Sequence, residues 1–346
     1  MSAPVGEFEG ILSGRQPAFS HRAAGHCGSG ALRDLLEFHG LDFGEGPLSE
    51  GAVFGLAGGL GCFYVENSEL DPPLYLVGRT GDLERDIAPN IGLGLEVRET
   101  DDAAEGWSWV RAQLEAGEPT MVWADIAELE YLRVRMSNTR HVIVVAGHDP
   151  EAGIVWIADN DREELQPSSL KTLEAARMSN GFPGPNRNAT FLYSWPESLV
   201  EPQEAVRRGL ARAVSNMRQE PASIGGLRGG IGLEAIDALA AGYPAWPETF
   251  EGKLEKALSG LWVFIVKAGT GGAMFRSLHA RFLRDAAGWL DEGRLEALAD
   301  HYDELSAVWI ELSDAAKRGD HGAGVGLVGE VRSLEHRGVE LMEELL

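Results

Sequence analysis

The sequence predicts an α+β protein: a mixed N-terminal domain over residues 1–198, then an all-helical domain over residues 199–346. Three observations carry this. Strand-like runs at 120–126, 141–147 and 154–159 fall in the first part, and Asp149-Pro150-Glu151-Ala152-Gly153, between the last two, is a strong turn signal. Beyond residue 200 the apolar residues recur at helical spacing. Finally, Gly25-His26-Cys27-Gly28-Ser29-Gly30 sets a cysteine just ahead of an amphipathic helix.

Taken in order, residues 1–20 read as a loosely structured lead-in. Ala31, Leu32, Leu35, Leu36 and Phe38 form the buried stripe of a helix over 30–39. Ser49 caps a short helix at 50–57, and the glycine-dense Gly55 to Gly61 lets backbone approach backbone. Strands follow at Cys62–Val65 and Leu74–Val77, then a helix at 103–116 ended by Gly117 and Pro119. After the three β-rich runs comes a loose stretch, Asn180 to Asn188, and a last strand, Ala189–Trp195, stopped by Pro196. Helices are then predicted at Gln203–Met217, Leu233–Ala241, Glu248–Lys267, Ala273–Gly288, Arg294–Ala316 and Gly326–Leu346.

Composition narrows the function classes. No apolar run approaches the roughly 20 residues of a membrane span, and the start, with Glu7 and Glu9, has no apolar signal core. Two cysteines, Cys27 and Cys62, are too few for a disulfide framework or a zinc knuckle, so a reducing, cytoplasmic location is expected, with no metal and no cofactor. The net charge of −24 argues against nucleic acid and suits a polycationic small molecule. Arg207, Arg208, Arg212 and Arg218 form the least acidic segment. It reads as a landing patch for an acidic carrier protein, or as a solvated helix face.

A cysteine at a helix start meets free N–H groups and the positive end of the dipole, which favour the thiolate. To act as a nucleophile it needs a base and a group that orients the base. If the hairpin turns near Glu151, His141 lies opposite about Asp161 with Asp159 on the diagonal of the same face. With the register one residue off, Asn160 shares that face instead. Cys62, in an apolar strand, reads as core, and His148 as surface.

A helix-start cysteine, then a strand histidine, then an acid or amide on the next strand is the order of papain-like cysteine enzymes. More closely, the stretches from Gly25 to Arg33, Leu48 to Leu56, His141 to Asp149 and Ala158 to Arg162 resemble the butirosin-biosynthesis acyltransferase family. That family has a papain-like, peptidase C39-like N-terminal domain and a helical C-terminal domain, to which Phe264–Leu283 is similar.

The resemblance implies acyl transfer from an acyl-carrier-protein or acyl-CoA thioester to a small-molecule amine. Cys27 would be the nucleophile, His141 the base then acid, and Asp159 the orienter. His21, His26, Gly28, Asn160 and Asp161 complete the candidate oxyanion- and substrate-binding set. His21 stands where peptidase C39-like enzymes carry a glutamine. Gly269-Thr270-Gly271-Gly272, before a helix, is a candidate cradle for a pantetheine phosphate, or a tight helix–helix connection. A hydrolase, amidase or cyclase with the same triad, and a silent binding module, are the alternatives. Whether the chain forms a homo-oligomer is left open.

Overall fold

The strands His141–Asp149 and Ile154–Ala158 pair antiparallel, and their register decides what meets at the far end of the hairpin. In the computed structural model, which describes residues 16–219, 222–224, 226–267 and 271–346, Gly147 faces Trp156 near the turn. The register then shifts between Val145 and Gly147, so that Val145 faces Ile157 and Val144 faces Ala158. The ladder ends at that pair, and Asp159, the next residue, meets His141 side chain to side chain at 2.9 Å. The bulge keeps His141 and Asp159 on one face, since each single-residue slip exchanges the faces.

The chain forms two compact units, one of residues up to Leu41 with Gly94–Pro196, the other of Asp42–Leu93 with Glu197–Leu346. The first unit holds an antiparallel six-stranded sheet in the order Gly94–Arg98, Thr190–Ser194, Thr120–Ala124, His141–Asp149, Ile154–Ala158, Gln166–Ser169. Ile143, Val145, Val155 and Ile157 pack on one face with Val110 and Leu114 of the helix Ala103–Glu115 and with Leu173 and Ala176 of the helix Leu170–Met178. The strands Gly94–Arg98 and Gln166–Ser169 and the helix that follows the latter have no strong periodicity, so the sequence pattern misses them.

The helix predicted from residue 30 begins at Cys27. His26, in extended conformation, caps it by accepting from the Ser29 amide at 3.2 Å. Gly30 is required there, because a Cβ would sit 2.5 Å from the Ala24 Cβ. The helix buries Leu32, Leu35 and Leu36 and packs against the His141 strand.

The second unit corrects one expectation. The stretch from 199 is not all helical: Ala222–Ile224 and Leu227–Ile231 are strands, joined to Leu60–Glu66 and Leu74–Arg79 in a four-stranded antiparallel sheet. Both are short and carry little pattern of their own; Leu227–Ile231 pairs with the buried Phe63–Tyr64, and Ala222–Ile224 pairs in turn with Leu227–Gly229. Residues 42–93 therefore pack with the C-terminal helices rather than with the first sheet. Gly55 shows why that region is glycine-dense: a Cβ there would come within 1.9 Å of the Phe282 ring.

The centre of this unit is a fully buried guanidinium. Arg276 Nε and Nη2 donate to Glu335 at 2.7 and 3.0 Å, and Nη1 donates to the carbonyls of Gly61, Gly78 and Met274. Trp309 adds a third donor to Glu335 at 2.8 Å.

Candidate active site

Cys27 opens its helix, so its amide and that of Gly28 lie in the first turn, where no carbonyl of the preceding turn can reach them. The Ser29 amide is taken by His26, and the Gly30 amide by the His26 carbonyl at 3.0 Å. The Cys27 thiol and His141, at the head of the central strand, lie close enough to shift each other's protonation. His141 Nε2 lies 2.9 Å from Asp159 Oδ2, so Nδ1 is the ring nitrogen not used in that bond. The Asp159 side chain is fully buried, and every partner it has is a donor. Oδ2 also accepts from the Tyr131 hydroxyl at 2.8 Å, and Oδ1 from the Asp161 amide at 3.1 Å.

This arrangement separates charge. Burial pushes the Cys27 thiol up, but the pull of the His26 ring and the hydrogen bond from His141 outweigh it and hold the thiol well below its ordinary range. Burial disfavours a charged His141, yet the Asp159 carboxylate and the Cys27 sulfur hold it well above the usual histidine value. Asp159 would be raised by burial, and the His141 charge, the Asp161 amide and the Tyr131 hydroxyl bring it below the ordinary carboxylate value. Burial and the adjacent Asp159 carboxylate push the Tyr131 phenol well up, so it stays a donor. Both shifts act in the same sense, toward a thiolate beside an imidazolium.

Residues 26–160, which include Cys27, His141 and Asp159, match the family model of the butirosin biosynthesis protein H N-terminal region. Residues 171–343 match a second family model, a domain of unknown function designated DUF4872. The chain belongs to the butirosin biosynthesis protein H family. No curated protein matches it. Membership in this family points to an enzyme with a biosynthetic, acyltransferase-like role. Among the described residues no helix is long and apolar enough to cross a membrane, and no group of three or more His, Cys, Asp or Glu is arranged to hold a metal.

In this family member the other candidate residues divide into several groups. His21 is no oxyanion donor, because its ring is already committed. Nδ1 lies 2.6 Å from Asp34 Oδ2, and Nε2 lies 3.1 and 3.0 Å from the carbonyls of Asp159 and Arg162. It pins the segment that carries Asp159 to the Cys27 helix. Asn160 stitches the same segment to the lead-in, its Nδ2 donating to the Ala24 carbonyl at 3.1 Å and its own carbonyl accepting from the Ala24 amide at 2.9 Å. Asp161 reaches the site through its backbone, while its exposed carboxylate pairs with Arg162. His26, expected as an oxyanion or substrate contact, caps the helix and biases the thiol.

Tyr131 is the residue the sequence reading missed. It lies in a loop without periodicity, and only the fold carries its hydroxyl to Asp159.

Three further expectations resolve. Cys62 is core, its thiol pushed up to about 12 by burial. His148 is not at the surface: it is buried edge-on to Trp107, with ring centroids 5.0 Å apart. Gly269 and Thr270 lie outside the described residues. Gly271 and Gly272 are tied inward, their carbonyls accepting from the Ser277 hydroxyl, and the following Ala273–Arg276 are buried. The basic segment is neutralised within its own unit. Arg207 and Arg208 pair with Glu204, Arg212 with Asp86, and Arg218 with Glu343.

Proposed function

We propose that this chain is a thiol-dependent acyltransferase. It takes an acyl group from a carrier-protein or CoA thioester onto Cys27 and passes it to a small-molecule amine in specialised-metabolite biosynthesis. The observation that carries the reading is the set Cys27, His141 and Asp159, with the cysteine opening a helix whose first amides have no carbonyl of a preceding turn to bind. Family membership supports the reaction class.

In the first half-reaction the Cys27 thiolate adds to the thioester carbonyl. The oxyanion is stabilised by the amides of Cys27 and Gly28, the second taking the place that His21 cannot fill. Collapse breaks the donor C–S bond, and the leaving thiolate takes the proton of the His141 imidazolium. The amine then adds to the acyl-Cys27 carbonyl. Neutral His141 removes a proton from the amine nitrogen, and the Cys27 C–S bond breaks to give the amide and restore the thiolate–imidazolium pair. Asp159 remains ionised throughout and holds the ring in place. The two free thiols suit a reducing, cytoplasmic compartment, and the acidic surface suits an amine-rich acceptor.

Intact-protein mass spectrometry after incubation with acyl thioesters tests the intermediate. One acyl adduct is expected on the wild-type chain and none on Cys27→Ala. An adduct that survives the substitution, or no adduct on the wild type, overturns the proposal. Supplying amines then separates transfer, which gives an amide, from hydrolysis, which gives the free acid, and from cyclisation, which gives an internal ester or amide of the acyl group.

A further inference from the structure

From Tyr131 to Arg140 the chain carries three arginines and no carboxylate, within a protein of net charge −24. Glu128 and Glu130 lie just before this window. Unlike the arginines of the 207–218 segment, Arg133, Arg135 and Arg140 have no ion-pair partner among the described residues. Arg140 instead lies over the Trp123 ring, 5.1 Å from its centroid. The same surface exposes apolar groups: Val134 at 37 %, Met136 at 69 % and Phe182 at 38 %. Phe182 belongs with them because its carbonyl accepts from the Thr139 amide at 2.8 Å.

The loop is fixed at its roots and open at its crest. Ser137 Oγ and the Asn138 amide bind Asp125 at 2.6 and 3.0 Å, and the Thr139 hydroxyl donates to the Gly184 carbonyl at 2.5 Å. At the other end, Arg162 Nη2 holds the Tyr131 carbonyl at 2.5 Å. Residues 133–136 between these anchors are exposed. Both ends of the loop touch the reactive constellation, since Tyr131 donates to Asp159 and Arg140 immediately precedes His141. Unpaired cations interleaved with apolar side chains on a pre-shaped surface match the rim and centre of a protein interface, and the charge selects an acidic partner.

We infer that the crest Arg133–Met136, with Phe182 and Arg140, is the docking surface for an acidic acyl carrier protein that presents its phosphopantetheine thioester to Cys27. This rests on the acyl-Cys27 reading and decides between the two donors left open there. Steering by such a patch raises association rates by about 10- to 1,000-fold at low salt.

The test compares Cys27 acylation by a butyryl-loaded acidic acyl carrier protein, by butyryl-CoA and by the small butyryl thioester of N-acetylcysteamine, in the wild type and in Arg133→Glu/Arg135→Glu. The expected result is a carrier-dependent kcat/KM that falls at least about tenfold in the variant and declines with salt in the wild type. The rate with the small thioester stays within about twofold, which also shows the variant to be folded. A carrier rate that does not change, equal losses with all three donors, or CoA acylating as well as the carrier and losing as much in the variant overturns the docking surface. In each of these cases acyl-Cys27 still forms in the wild type, so the proposed function stands. No adduct in the wild type with any donor overturns both.

Discussion

Asp159→Asn is the most searching single change, because papain-like enzymes also use an amide to orient the histidine. Here the three groups facing the side chain are all donors: His141 Nε2 at 2.9 Å, the Tyr131 hydroxyl at 2.8 Å and the Asp161 amide at 3.1 Å. An asparagine has one acceptor oxygen. Whichever way it is turned, its NH2 faces a donor in a fully buried position. Leaving such a group unsatisfied costs about 1–3 kcal/mol, and the substitution also removes the charge that holds His141 protonated. With that charge gone, the pH at which Cys27 becomes reactive should rise. Iodoacetamide labelling followed by intact mass across pH reads this directly, with Cys62 silent because it is buried and its thiol is pushed up to about 12. An Asp159→Asn profile that overlays the wild type would refute the claim that the carboxylate's charge sustains the pair.

Three further outcomes are expected. His26→Asn keeps a good helix cap but removes the ring beside the sulfur, so the labelling profile should move to higher pH with little change in thermal stability; a profile that stays put removes His26 from the account. The raised proton affinity of His141 gives stability that is fully present below its unfolded value of about 6.5 and is lost as pH rises through the folded value. The gap in urea midpoint between wild type and His141→Gln should therefore narrow at alkaline pH, and a gap that widens contradicts it. Glu335→Gln leaves the buried Arg276 charge uncompensated, at a cost of about 3–5 kcal/mol. Hydrogen exchange over Arg276–Leu290 and His321–Glu343 should show it, and a change below about 1 kcal/mol counts against Arg276 as the centre of that unit.

Much of the site was legible in the residues themselves. A cysteine beside glycines at the head of an apolar helical stripe reads as a nucleophile or as a packed small residue. The Asp149–Gly153 turn fixes a hairpin whose arithmetic brings His141 and Asp159 to one face. These are short-range patterns, written in spacing and turn chemistry, so they survive without knowledge of the rest of the fold. The α+β class follows for the same reason, from period-two runs early and helical period later.

What only the tertiary structure decided has no local pattern. The strands Ala222–Ile224 and Leu227–Ile231 are too short to announce themselves: the second forms against an apolar strand over 150 residues earlier, and the first against the second. Tyr131 reaches Asp159 across 28 residues of sequence, and His21 reaches its carbonyl across 138. Which arginines are neutralised and which stay free was equally unreadable, because an ion pair such as Arg218–Glu343 joins residues 125 apart. Sequence spacing determines which groups share a face of one helix or hairpin; long-range packing determines which of them are buried, which are paired, and hence which can act.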